Sequence, residues 1–252
     1  MSKRVRIAAV GESELPRPVS PLWELVHVGV AGVVVLVTWL LLPQMPERVP
    51  IHFGVSGTPD RWIERGPAVL LVAVVPVLLL AMCLAFVHMG ITRSKRSISR
   101  EAPAASSYGY AAFARVQSVA LVVLGLLVDA LFLAMPLLMA GILSPDSYMA
   151  LALGMCLIIA AGCIWMAVRY GSNGHRVAER LTGKKVVFED VDDDALWRWG
   201  GLYWNPEDPA IWVPKRYGIG WTINAARPLA WAELFGLMAV LLVGGLAVAC
   251  LA

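Results

Sequence analysis

The chain has 252 residues, of which 59% are hydrophobic and only 15% charged, and its mean hydropathy is +0.70. A soluble domain carries about a quarter charged residues, so this composition excludes a fold that covers itself with a wetted surface. The formal net charge of +3 is small, and the placement of the charges is more informative than their sum.

Residues 1–21 read as a cytoplasmic tail carrying Lys3, Arg4, Arg6 and Arg17. The apolar run Leu22–Leu42 follows. It is too long for the apolar region of a secretory signal, and Pro43-Gln44-Met45-Pro46 offers no small-residue cleavage site, so it reads as a retained transmembrane helix. Four more runs, Pro67–Gly90, Val116–Leu143, Pro145–Val168 and Leu229–Leu251, each reach the ~20 residues needed to span. In hydrocarbon every backbone amide must find its partner internally, so such runs are helices. Ser144 followed by Pro145 is a good helix start and predicts a short hairpin between the third and fourth spans. Pro76 and Pro136 are expected to kink their spans. The small pairs Ala150 with Gly154, and Gly245 with Ala249, are expected to pack helices closely.

The expected fold is an all-α membrane bundle of about five transmembrane helices. Residues 22–90 form a helical hairpin with an outer loop at 43–66. A basic cytoplasmic loop at 91–115, a second hairpin at 116–168 and a final span at 229–252 complete it. With the N-terminus inside, the inner segments hold 4, 5 and 9 Lys and Arg residues, 18 of the 21, while Arg48, Arg61 and Arg65 stay outside. That asymmetry sets the orientation.

Two segments lie outside the lipid. In the outer loop, prolines 43, 46, 50 and 59 stiffen the chain. Phe53 and Trp62 can dip into the interface while His52, Asp60 and Arg61 offer polar ends, a combination suited to a ligand at the outer surface or simply to anchoring a hairpin. The inner segment 169–228 begins helical at His175. It continues through the acidic stretch Glu189–Asp194, then through three short aromatic runs separated by turn signals, predicting a cytoplasmic β-meander. Trp204, Asn205, Asp208, Lys215, Arg216 and Trp221 are its candidate partner-binding residues, and Lys184 and Lys185 are expected to face anionic headgroups. The acidic stretch beside these cations argues against nucleic acid.

Within the spans, Asp129 is an expensive residue and should face the bundle or a wet cavity, with Pro136 on the same helix face. Glu24 and His27 begin the first span and share one face of it, His88 ends the second, and Glu233 begins the fifth. This topology places all four at similar depth near the inner surface. The paired motif of a carboxylate-bridged metal site is absent, so no metal and no cofactor are expected. Cys83, Cys156, Cys163 and Cys250 all fall in apolar runs without metal-site or disulfide spacing, and read as small packing residues.

The outer stretch Leu42-Pro43 through Pro46-Glu47-Arg48-Val49-Pro50-Ile51-His52-Phe53, leading into Gly57-Thr58-Pro59-Asp60-Arg61-Trp62, resembles the N-terminal module of the bacterial SdpI-like membrane proteins. The resemblance covers residues 22–90. The inner segment resembles a second, uncharacterised bacterial module through Tyr203-Trp204-Asn205-Pro206-x-Asp208-Pro209, Val213-Pro214-Lys215-Arg216 and Gly220-Trp221-Thr222-Ile223-Asn224. The first resemblance implies a multi-pass protein of the bacterial plasma membrane that protects against a membrane-active peptide and signals by holding a transcriptional repressor. The inner insert before the last span departs from those relatives. The expectation is therefore a non-enzymatic sensing or immunity protein, with an amphipathic peptide or lipid-like ligand outside and a soluble regulator or the bilayer surface inside. The alternatives are a transporter, or transporter subunit, using Asp129 as an ion or proton site, and an intramembrane lipid-modifying enzyme using Glu24, His27, His88 and Glu233.

Overall fold

A computed structural model describes residues 15–54, 57–93, 99, 101–186, 194–214 and 221–251. After a 3-10 turn at Pro21–Glu24, helix α1 runs over Leu25–Leu41. A hairpin of β1 (Arg48–Phe53) and β2 (Pro59–Glu64) follows. Then come α2 (Pro67–Arg93), α3 (Pro103–Met139), α4 (Pro145–Tyr170) and the short α5 (His175–Thr182). Strands β3 (Trp197–Arg198), β4 (Leu202–Tyr203), β5 (Trp212–Pro214) and β6 (Trp221–Ile223) precede the last helix, α6 (Pro228–Leu251).

Four of these helical stretches are long and apolar enough to cross a membrane, beginning at Pro21, Pro67, Pro103 and Pro145. The 24-residue α6 is a fifth apolar helix. Their large side chains face outward. Leu22, Trp23, Leu36, Trp39 and Leu40 on the first helix, and Leu153, Leu157, Ile158 and Ile164 on α4, are all exposed. Helices with apolar outer surfaces are built for lipid rather than water. The chain is thus of multi-pass membrane type.

The described chain divides into two compact units. One comprises residues 22–85, 122–161 and 236–252. In it, positions 24, 27, 31, 34 and 38 are buried while the residues between them are exposed or only partly buried. Spacings of three and four keep these positions on one helix face. Ala31 and Val34 pack with Ala73 and Val77 of α2 and with Phe132 and Leu133 of α3. A second apolar cluster, Met45, Val49, Ile63, Val69, Val72 and Met139, seats the β1–β2 hairpin on the helix ends. Ser144 Oγ accepts the Ser147 amide at 3.2 Å, the expected cap of α4.

The other unit comprises residues up to 21, 86–121 and 162–235. Ile91, Tyr110 and Ala114 form one core, Ala105, Ala178 and Val186 a second, and Ile211, Ile223 and Ala230 a third. Helix α5 lies so close to α3 that a side chain at Gly109 would collide with the Gly174 carbonyl.

Several expectations need correction. The segment expected only as a structured loop at 43–66 contains an antiparallel hairpin, in which Val49 pairs with Ile63 and Pro50 with Trp62. Its two prolines masked the strands, yet a two-stranded ribbon is all edge, and an edge tolerates proline. Residues 103–115 belong to helix α3 rather than to a basic loop. Pro103 suits a first helical position and the alanines at 104, 105, 111, 112 and 114 favour helix. The apolar criterion saw only the lipid-crossing part. Strands β3 to β6 form two separate antiparallel pairs, β3–β4 and β5–β6, joined by a single parallel bridge from Tyr203 to Asn224, and not a meander. Strands of two or three residues exhaust their ladder within each pair. Cys156 and Cys163 are exposed and Cys83 is half-buried, so the first two are not packing residues. A Cβ at Gly154 would meet nothing, while one at Gly244 would strike Leu79. The close α2 contact is thus at Gly244. The side chains of Ala249 and Cys250 are outside what is described, as are the acidic stretch up to Asp193, Lys215 and Arg216.

Candidate functional site

The buried stripe of α1 is apolar in its middle and ionisable at its start. Glu24, at the end of the 3-10 turn, and His27, in the first turn of α1, are 2% and 0% exposed, and Asp129 on α3 is 1% exposed. The His27 Nδ1–H donates to Asp129 Oδ2 at 2.5 Å. On the other side of the ring, His27 Nε2 lies 3.0 Å from Glu24 Oε2. That is ion-pair distance. An imidazole is therefore held between two carboxylates in a setting without water-like screening.

Space for the ring comes from Gly125. It precedes Asp129 by one helical turn and so shares its face. A Cβ there would come within 2.6 Å of His27 Cε1 and 2.5 Å of Leu84 Cδ1. Asp129 Oδ1 is buried without a hydrogen-bond partner among the described residues. A buried acceptor left bare costs about 1–3 kcal/mol, a penalty that a proton, water or cation relieves. No set of three or more His, Cys, Asp or Glu side chains able to hold a metal occurs among the described residues, because here His27 separates the acids instead of converging with them on one point.

The sequence placed Asp129 apart from the Glu24–His27 pair, yet all three meet. It also grouped His88 and Glu233 with that pair, and both are committed elsewhere. His88 Nε2–H donates to the Val19 carbonyl at 2.9 Å, and the Val19 amide donates to Ser118 Oγ at 3.0 Å. Glu233 accepts Arg93 Nη1 at 2.5 Å and the Trp212 indole N–H at 3.1 Å. Trp212 packs edge-on against Phe86 at 5.8 Å and over Gly90. These are fastenings of the N-terminal segment and of β5.

On the β1–β2 hairpin, His52 and Asp60 do meet, with Nδ1 2.5 Å from Oδ1, and both stay more than half exposed. Arg61 pairs with His52 across the strands. The Arg48 guanidinium lies 5.7 Å above the Trp62 ring. Arg65, which the sequence did not single out, ties the base of the hairpin by donating to the Pro43 and Met45 carbonyls.

In the segment of β3 to β6, Asn205 and Asp208 are spent on holding the fold. Asn205 Oδ1 accepts the amides of Glu207 and Asp208, and Asp208 Oδ1 accepts that of Ala210, two successive turns across Pro206 and Pro209. Tyr203 Oη donates to Asp208 Oδ2 at 2.9 Å. Asn224, fully buried, donates to the Asn205 and Asp208 carbonyls and accepts the amides of Asn205 and Ala226. Trp204 stacks under Arg198 at 4.2 Å. Only the backbone of Trp221 is described, as the start of β6.

A bundle of long apolar helices with a buried acid–imidazole–acid array defines a polytopic membrane protein with an ionisable centre. Two sequence families match parts of the chain. Residues 29–83 are similar to a domain of unknown function (DUF1648), and residues 206–231 to a family of unknown function (DUF5808). The first match covers most of α1 from residue 29 on, the β1–β2 hairpin and most of α2. The second covers the turns and strands held by Asn224. No curated protein and no solved structure matches.

Proposed function

We propose that this chain is a multi-pass protein of the bacterial plasma membrane, N-terminus inside, whose Glu24–His27–Asp129 array binds and releases protons to drive a change within the bundle, as in an ion- or proton-coupled transporter or transporter subunit. The observation that carries the reading is His27, completely buried, in contact with two buried carboxylates on separate helices. Ionisable groups in spanning helices are costly and mark ion or proton pathways. Support for the orientation comes from the lysine and arginine asymmetry. Infrared difference spectra recorded on a pH jump with the full-length protein in lipid test the reading. A carboxylic C=O band should change in the wild type and vanish in Asp129→Asn. No titrating carboxyl band in the wild type across the physiological pH range overturns it.

A second reading is favoured by the hairpin. His52, Asp60, Arg61 and Trp62 are exposed on a rigid base, which suits capture of an amphipathic peptide or lipid-like molecule outside the cell. With the SdpI-like resemblance, this gives a sensing or immunity role in which the inner segment engages a soluble regulator or the membrane surface. Protection of cells against membrane-active peptides, lost in Trp62→Ala with the protein still inserted, is the expected result. Equal sensitivity with and without the protein removes this reading.

A further inference from the structure

Where α4 leaves its apolar stretch, two hollows share one residue. The first is a cleft of about 320 Å³ walled by Phe113, Met166 and Ala167, with Gln117 alongside and His175 and Arg176 at its rim. The second is an open groove of about 600 Å³ formed by Arg176, Arg180, Lys184 and Lys185, with Glu179 as its acid. Arg176 lines both. We propose that the pair forms a binding site for one anionic phospholipid, with the headgroup phosphate in the basic groove and an acyl chain in the apolar cleft.

Three observations converge on this class of ligand. The cleft has the size of a small-molecule site, and its walls are apolar. The groove carries four cations against one acid, and clusters of this kind beside spanning helices attract anionic headgroups. The level is that of a membrane interface, because Trp165 and Phe113 both pack on Tyr170 at the end of α4, at 6.0 and 6.5 Å, and such aromatics belt the boundary between lipid and water.

The site is also preformed. The close approach of Gly109 and Gly174 fixes α5 against α3. Arg176 Nη1 donates to the Val168 carbonyl at 2.7 Å and Arg180 Nη2 to that of Arg169 at 2.5 Å. These bonds close the end of α4 and hold both guanidinium groups in place. Each guanidinium has five N–H donors, so others remain to meet a phosphate. Gln117 Oε1 is buried without a partner among the described residues, an acceptor that a lipid hydroxyl satisfies. A free phosphate ester fits the groove but leaves the adjoining apolar cleft unfilled, which favours a lipid.

Native mass spectrometry of the full-length protein in detergent tests this with equimolar short-chain phosphatidylglycerol and phosphatidylcholine. The phosphatidylglycerol adduct should dominate several-fold. The double variant Lys184→Gln/Lys185→Gln, which alters exposed side chains only, should lower its affinity about tenfold. Ala167→Trp, which fills the cleft, should remove it, and excess glycerol 3-phosphate should not displace it. Equal retention of the two lipids, unchanged binding in both variants, or full displacement by glycerol 3-phosphate overturns the proposal, the last by assigning the groove to a free phosphate ester.

Discussion

His27 and Asp129 are 102 residues apart in the chain and 2.5 Å apart in the structure, joined by a buried hydrogen bond between α1 and α3. This bond ties the first helix to the third at a level where neither side chain meets solvent. Removing one partner of such a buried pair leaves the other uncompensated and costs about 3–5 kcal/mol. Asp129→Ala should therefore lower the unfolding midpoint of the purified protein far more than any exposed substitution. In a double-mutant cycle with His27→Gln, the two changes should be strongly non-additive. Additive effects would mean that the contact contributes nothing.

Gly125 gives a prediction about space. Alanine there places a methyl group against His27 Cε1 and Leu84 Cδ1, and overpacking of this kind costs about 1–3 kcal/mol. At Gly154, where an added methyl meets nothing, alanine should be neutral or slightly stabilising, since it is the better helix former. Thermal unfolding of the two single variants should separate them in that order.

Asn224 is the tie of strands β3 to β6. Its amide makes four bonds to backbone groups of residues 205, 208 and 226. Asn224→Ala strands buried donors and acceptors at about 1–3 kcal/mol for each one left bare. Limited proteolysis of the full-length variant should show faster cleavage within residues 194–227. The helical content measured by circular dichroism should stay unchanged, because the spanning helices do not depend on this tie.

Trp199 has φ of 50° at the tip of the β3–β4 hairpin and is 91% exposed, followed by Gly200 at φ of 77°. Two successive positive φ values are the pattern of a turn that prefers asparagine and glycine. Trp199→Asn should stabilise the hairpin by about 1 kcal/mol, read as slower local proteolysis. A loss of stability would mean that the indole makes a contact outweighing its strain.

Much of this protein can be read along the chain. The apolar runs locate the long helices, because a span must be apolar over a fixed length whatever its neighbours are. The Ser144 cap and the shared face of Glu24 and His27 are local as well, set by helical periodicity. The β1–β2 strands were hidden by Pro50 and Pro59, although the alternation of Val49, Ile51 and Phe53 carries a period-two signal. The helical start of α3 was hidden because its first turns are polar and alanine-rich, so no hydrophobicity threshold detects them.

By itself, the sequence determined that this is a membrane chain with its ionisable residues confined to a few positions, since hydrocarbon admits only apolar helices and makes each charged exception costly. Tertiary structure alone decided the distant company each exception keeps: His27 with Asp129, His88 with the Val19 carbonyl, and Glu233 with Arg93 and Trp212. Depth along a helix follows from counting residues. The rotation of one helix against another follows from packing, and here a single missing side chain at Gly125 opens the space in which His27 and Asp129 meet.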